Sequence, residues 1–227
     1  MLSVVILIIL VVFILWYWYF MKNKSNSTND YNVISFANKS DPYVKPIVIE
    51  NFLSNKDCDR IIEYSKNKLF DSQTVGGLDK KTRDSRQHWI NKNDKLVKHI
   101  YKNASEMFKF PLENTEDFQV VNYKNKQFFN QHYDACCDKN KHCLDFIKTG
   151  GQRVLTILIY LNDEFTGGYT EFPNLNLKIK PKKGKAVIFY SLATNTNKCH
   201  PYALHAGLPI ENGEKWIANI WVRERKY

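Results

Sequence analysis

The chain has 227 residues, a formal net charge of +10 and 44% hydrophobic content, with 14 Phe, 13 Tyr and 5 Trp. That aromatic load excludes a disordered chain, and the length suits one domain plus an N-terminal extension. The positive charge comes from scattered lysines without an arginine-rich block or a nucleic-acid module, so we expect a solvated basic surface and no nucleic-acid partner.

Leu2 to Phe20 (LSVVILIILVVFILWYWYF) carries no charge. At about 1.5 Å per residue it spans about 30 Å, the hydrocarbon thickness of a bilayer. Trp16 to Tyr19 form an interfacial aromatic belt, and the run is too long for a signal h-region, so residues 1–21 read as a transmembrane anchor. Lys22 and Lys24 after the span favour a cytoplasmic domain. Four Asn-x-Ser/Thr acceptors, at Asn23, Asn26, Asn38 and Asn103, favour the opposite side. Residues 22–44 are polar and read as a stalk.

From residue 45 the pattern is that of a folded domain. Pro46 to Phe52 alternates as a strand. Ser54 then N-caps a helix through Cys58, Ile61 and Ile62 to Tyr64–Leu69. Thr82 to Ile90 reads as a strand or extended loop. Asp94 to Phe108 reads as a second helix, with Leu96, Ile100, Tyr101, Ala104 and Phe108 along one side. Strands are expected at 118–123, 154–161, 178–180, 185–190, 204–207 and 216–222, all rich in β-branched or aromatic residues. Gly150-Gly151, Gly167-Gly168 and Lys183-Gly184 supply turns between them. Helices followed by many short strands give an α+β, mainly β class: a double-sheet jelly roll braced by helices on one sheet.

The five cysteines are Cys58, Cys136, Cys137, Cys143 and Cys199. Three of them sit with His142 in ACCDKNKHC. A zinc knuckle is one reading, although adjacent cysteines lack the C-x2-C spacing. A disulfide joining Cys143 to Cys136, Cys137 or Cys199 is the other, in an oxidising compartment. An odd count leaves at least one thiol over.

The chemistry gathers in two stretches. In FQVVNYKNKQFFNQHYD, His132 and Asp134 stand two apart and would share one face of a strand. Alone, such a pair is more often a surface hydrogen bond. LHAGLPIENGEKWIANIWVRE adds His205 and, ten residues on, Lys215, with Asn212-Gly213 between them as a place to turn back. Two His and one carboxylate, with half the coordination sphere open, make the facial triad of non-haem Fe(II) oxygenases.

From about Pro46 to Tyr227 the chain resembles prolyl 4-hydroxylases, which are Fe(II)- and 2-oxoglutarate-dependent dioxygenases. The matching segments include IENFLS, RDSRQHWI, QVVNY, QHYD, RVLTILIYLND, GGYTEFP, IKPKKGKAVIFY and HAGLPIENGEKW, in the family's order. The resemblance implies a double-stranded β-helix and makes His132, Asp134 and His205 the iron ligands. It implies that Lys215 binds the far carboxylate of 2-oxoglutarate, with Tyr123 and Thr170 as further contacts. Tyr123 also reads as a core tyrosine, and Lys215 as one surface lysine among many. Arg83, Trp89 and Trp221 would line a peptide groove, and Lys215 and Trp221 share strand parity. Also implied are a proline-containing peptide or protein as substrate and L-ascorbate as reductant. The expected location is the endoplasmic reticulum membrane, with a lumenal catalytic domain. Lysyl hydroxylases are the nearest rival, but that branch usually holds 2-oxoglutarate with an arginine. A tethered, inactive peptide-binding jelly roll is the non-enzyme rival. The cysteine-bearing loop Ala135 to Gln152 is not part of the recognised motif.

Overall fold

A computed structural model describes residues 35–138 and 140–227. The expected anchor at 1–21 and the stalk up to residue 34 lie outside the described residues. Among those described, no helix is long and apolar enough to cross a membrane. Residues 35–44, read as part of the stalk, are tied to the domain. The Ala37 amide donates to the Cys199 carbonyl at 2.9 Å and the Tyr43 hydroxyl to the Tyr190 carbonyl at 2.8 Å.

The elements in chain order are β1 (Ile47–Ile49), α1 (Asn55–Ser65), β2 (Phe70–Asp71), β3 (Arg83–Asp84), β4 (Arg86–Ile90), α2 (Lys98–Phe108), β5 (Phe118–Tyr123) and β6 (Phe128–His132). Then come α3 (Lys141–Lys148), β7 (Arg153–Tyr160), β8 (Phe165–Gly167), β9 (Thr170–Phe172), β10 (Leu177–Ile179), β11 (Ala186–Tyr190), β12 (His205–Gly207), β13 (Ile210–Gly213) and β14 (Lys215–Arg223).

Ser54 caps α1 as expected, its Oγ accepting from the Asp57 amide at 3.1 Å. The helix buries Cys58, Ile61 and Ser65, one stripe at helical spacing. It ends at Ser65, short of the expected Leu69. α2 begins four residues later than expected. Asp94 Oδ1 accepts from the Leu96 amide at 2.8 Å, so its carboxylate closes a local turn ahead of the helix.

The strands form a seven-stranded antiparallel sheet, β1-β11-β7-β14-β5-β4-β2, and a five-stranded one, β10-β9-β12-β6-β3. β8 and β13 pair separately. The domain is therefore mainly β with antiparallel sheets. The three central strands of the large sheet, β5, β7 and β14, are buried on both faces. One parity of each (Phe118 and Val120; Ile157 and Ile159; Ala218 and Ile220) packs in the core that includes Ile61 and Ile100 of the helices. The other parity (Val121 and Tyr123; Leu158 and Tyr160; Ile217) packs with Phe172 and Ile179 of the smaller sheet. Alternation at period two assigns the faces. Double burial explains why these strands read as continuous apolar runs.

Two local expectations are corrected. Asn212-Gly213 does not form a hairpin returning β13 onto β14. β13 pairs with β8, and Gly213, at φ +91°, passes the chain into the large sheet. His132 and Asp134 also do not share one strand. β6 stops at His132, and Asp134 lies beyond it, where the Thr156 hydroxyl donates to its Oδ2 at 2.6 Å.

Candidate active site

His132 ends β6 and faces His205, which opens the antiparallel β12 in direct register. Asp134 completes the group. Its carboxylate oxygens lie 3.9 Å from Nε2 of His132 and 3.9 Å from Nε2 of His205. One ligand atom from each residue falls within 4.8 Å of the others.

Backbone carbonyls orient both rings. Nδ1 of His132 lies 2.7 Å from the Asn130 carbonyl, and Nδ1 of His205 lies 2.9 Å from that of Ala203. A carbonyl only accepts, so each Nδ1 carries the hydrogen and each Nε2 presents its lone pair to the gap. Burial, and then the neighbouring His205, hold His132 well below the usual imidazole range. Burial alone would raise the Asp134 carboxyl, but His205, His132, Arg153 and the Thr156 hydroxyl outweigh it and hold it down to about 2. A neutral imidazole and a carboxylate are the ligand states that a divalent cation requires.

A narrow recess runs inward from the triad, lined by Tyr123, Thr170 and Lys215 among others. Lys215 stands in its wall, 2% exposed. Its Nζ donates to the Gly168 carbonyl at 2.6 Å and lies 5.5 Å from the centre of the Tyr123 ring. Burial pushes this ammonium down to about 7. Among the described residues no carboxylate pairs with it. A buried cation held by a single carbonyl is costly until an anion joins it, so the wall suits a carboxylate ligand. Gly168 is at φ +64°, a backbone that residues with a side chain rarely adopt, and this turn brings its carbonyl to the lysine. Thr170 also lines the recess and accepts from the Tyr160 hydroxyl at 2.6 Å, which leaves its own proton free to donate inward.

Outside the triad the recess opens into a wider groove. Arg83 and Trp221 line both spaces, and Trp89 lines the groove alone, 5.9 Å from Trp221 between ring centres. The Arg83 guanidinium lies 4.7 Å over the Phe129 ring, and its Nε donates to Ser85 Oγ at 3.1 Å. Trp221 Nε1 is buried and has no hydrogen-bond partner among the described residues. All nine residues singled out in the sequence therefore line the recess or the groove.

Five others were missed: Thr156, Tyr160, Glu116, Arg153 and Arg223. Tyr160 holds Thr170. Glu116 accepts from Arg153 Nε at 2.6 Å and from Arg223 Nε at 2.6 Å, and the Arg153 guanidinium lies 3.5 Å over Trp221. The parity of β7 could have found Tyr160, since it sits on the face of Thr156. Nothing local marks Glu116.

The chain matches known proteins along most of its length. Residues 118–223 match the 2OG-Fe(II) oxygenase superfamily model. A candidate prolyl 4-hydroxylase of Acanthamoeba polyphaga mimivirus is 55% identical over 193 residues, covering 85% of this chain and 80% of that relative. The chain belongs to the prolyl 4-hydroxylase family. Prolyl 4-hydroxylase 5 of Arabidopsis thaliana is 30% identical over 208 residues, covering 81% of this family member and 69% of the plant protein. Among solved structures, the viral collagen prolyl hydroxylase of Paramecium Bursaria Chlorella virus-1 in complex with 2OG is similar at TM-score 0.64 and 34% identity, covering 79% of this chain and 96% of that one.

Membership of the prolyl 4-hydroxylase family implies Fe(II) and 2-oxoglutarate, and the residues present fit both. The triad offers two imidazoles and a carboxylate with outer partners in place. Lys215 offers a buried cation with no counter-ion among the described residues.

Proposed function

We propose that this chain is an Fe(II)- and 2-oxoglutarate-dependent prolyl 4-hydroxylase acting on a proline-containing peptide or protein. The observation that carries the reading is that the triad and the unpaired Lys215 ammonium share one recess beneath an aromatic-lined groove.

In this reading His132, Asp134 and His205 hold the iron, while the Asn130 and Ala203 carbonyls and Thr156 fix their orientation. Lys215 receives the far carboxylate of 2-oxoglutarate by a charge-assisted bond. Thr170 adds a hydroxyl, and Tyr123 walls the anion in from the large sheet. When bound, the iron and the keto acid supply O2 activation coupled to oxidative decarboxylation, releasing succinate and CO2. Arg83, Trp89 and Trp221 position an extended peptide over the iron, and an aromatic groove suits a polyproline II segment. L-ascorbate belongs to the proposal as the reductant that restores oxidised iron.

The pairs Cys136–Cys143 and Cys137–Cys199 support an oxidising compartment. With the apolar run at 2–20, they favour the endoplasmic reticulum lumen, with residues 1–21 as anchor, a polar stalk after it, and a catalytic domain that takes in residues 35–44 as well as 45–227. A lysine at 215 favours the prolyl over the lysyl branch. Mass spectrometry of proline-rich and lysine-containing peptides, incubated with the protein, Fe(II), 2-oxoglutarate and ascorbate, tests the reading. One added oxygen on proline is expected, and oxygen added only to lysine would overturn it.

A further inference from the structure

We propose that the disulfide-stapled stretch made by Cys136, Cys143 and α3 is the outer wall of the peptide groove and sets affinity for the peptide substrate. The inference rests on the prolyl hydroxylase reading of the site.

The groove runs between two flanks. One is the β2–β3 connection, with Gln73, Thr74 and Val75, and the other is the stapled stretch, with Asp138, His142 and Phe146. The second flank is no extension of either sheet core. Cys136, Cys143 and Ile147 form a small cluster of their own, with Leu144 and Phe146 packed against it. So little apolar surface does not order an eight-residue helix unaided.

Cross-links supply the difference. Cys136–Cys143 joins the stretch after Asp134 to the first turn of α3, and Cys137–Cys199 ties that stretch to the segment before β12. The Gln152 amide brackets Cys136, accepting from its N–H at 2.8 Å and donating to its carbonyl at 2.8 Å. At the far end Arg225 donates to the Ile147 carbonyl at 3.1 Å, and the Phe146 ring lies 3.9 Å from the Arg223 guanidinium. The wall is thus fixed at both ends, and its apolar cluster is separate from the one that packs around Tyr123 and Tyr160 beside the recess.

Opening Cys136–Cys143 therefore loosens the wall and leaves the recess intact. A dithiol does this by exchange: its two sulfurs are oxidised to a disulfide, and Cys136 and Cys143 are each left as thiols. Peptide affinity becomes sensitive to reductant while cosubstrate affinity does not.

The test compares KM for a prolyl peptide with KM for 2-oxoglutarate in the wild type, in the double variant Cys136→Ser/Cys143→Ser and in Phe146→Ala. The expected result is a peptide KM raised about tenfold in the double variant and severalfold in Phe146→Ala, with KM for 2-oxoglutarate changed less than about twofold. Should the double variant fail to fold, Phe146→Ala gives the same readout with both disulfides in place. An unchanged peptide KM overturns the proposal, as does an equal rise in both constants, which would mark a general structural role. A wild type that hydroxylates no prolyl peptide would overturn the functional reading as well, so the two failures are distinguishable.

Discussion

His132 and His205 stand directly opposite each other on antiparallel neighbours β6 and β12, with ring centres 4.2 Å apart. The pairing register alone brings together two residues far apart in the chain. Asp134 then depends on Thr156, whose hydroxyl donates to the carboxylate from the neighbouring large sheet. Thr156→Val keeps the shape and removes the donor. Its affinity for Fe(II), read by anaerobic titration, should fall about 10–100-fold, the usual cost of losing an outer partner. Affinity equal to wild type would show that Asp134 needs no such support.

Lys215 makes stability depend on pH in an unusual direction. Burial lowers its folded pKa to about 7, against an ordinary value of 10.5. Between those values the unfolded chain binds the extra proton and the folded apoprotein does not. Apoprotein stability should therefore gain a contribution as pH rises from about 7 towards 10.5, and lose it as pH falls back to 7. Melting curves of the apoprotein against Lys215→Met isolate this term, because the variant has no titrating group there. The same proton is needed to hold a carboxylate, so affinity for 2-oxoglutarate should weaken above pH 7. A flat difference between the two proteins across that window would contradict the assignment.

Tyr160→Phe removes the hydroxyl that donates to Thr170. The expected stability loss is about 1 kcal/mol, the net worth of one hydrogen bond. KM for 2-oxoglutarate should rise more than KM for the peptide, since Thr170 faces the recess and not the groove. Thr170→Val should abolish the effect of the second change, because Tyr160 acts through that hydroxyl.

Glu116 is 3% exposed and accepts from both Arg153 and Arg223. Burial would raise its carboxyl, and the two guanidinium groups hold it below the usual range. Glu116→Gln leaves two buried cations facing a neutral amide. It should destabilise the domain by about 3–5 kcal/mol in urea unfolding, the cost of breaking a buried pair from one side. A loss under about 1 kcal/mol would show that water already compensates the arginines.

Much of this was legible in the sequence, for reasons that differ by residue. β5 was placed at 118–123 because a β-branched and aromatic run between polar stretches has few alternatives. Ser54 was found because an N-cap is a local signal. His132 and Asp134 do come together, but not by sharing a strand face. Strand alternation was invoked, but a hydrogen bond from another sheet does the positioning. α3 escaped notice because its cap, Asn140, sits inside a cluster read only for cysteine chemistry. The disulfide partners were equally hidden, since Cys199 reaches Cys137 only through the overall topology. Arg153 was seen in a motif without a role. In a strand buried on both faces, composition does not say which parity faces the ligand.

The central claim is that His205 and Lys215 grip opposite ends of one small dicarboxylate site. Anaerobic equilibrium dialysis of 2-oxoglutarate against Fe(II)-supplied wild type, His205→Ala and Lys215→Ala tests it most directly. The account predicts that both variants lose at least about tenfold in affinity, one through the metal and one through the far carboxylate. Retention of wild-type affinity by either variant would contradict it.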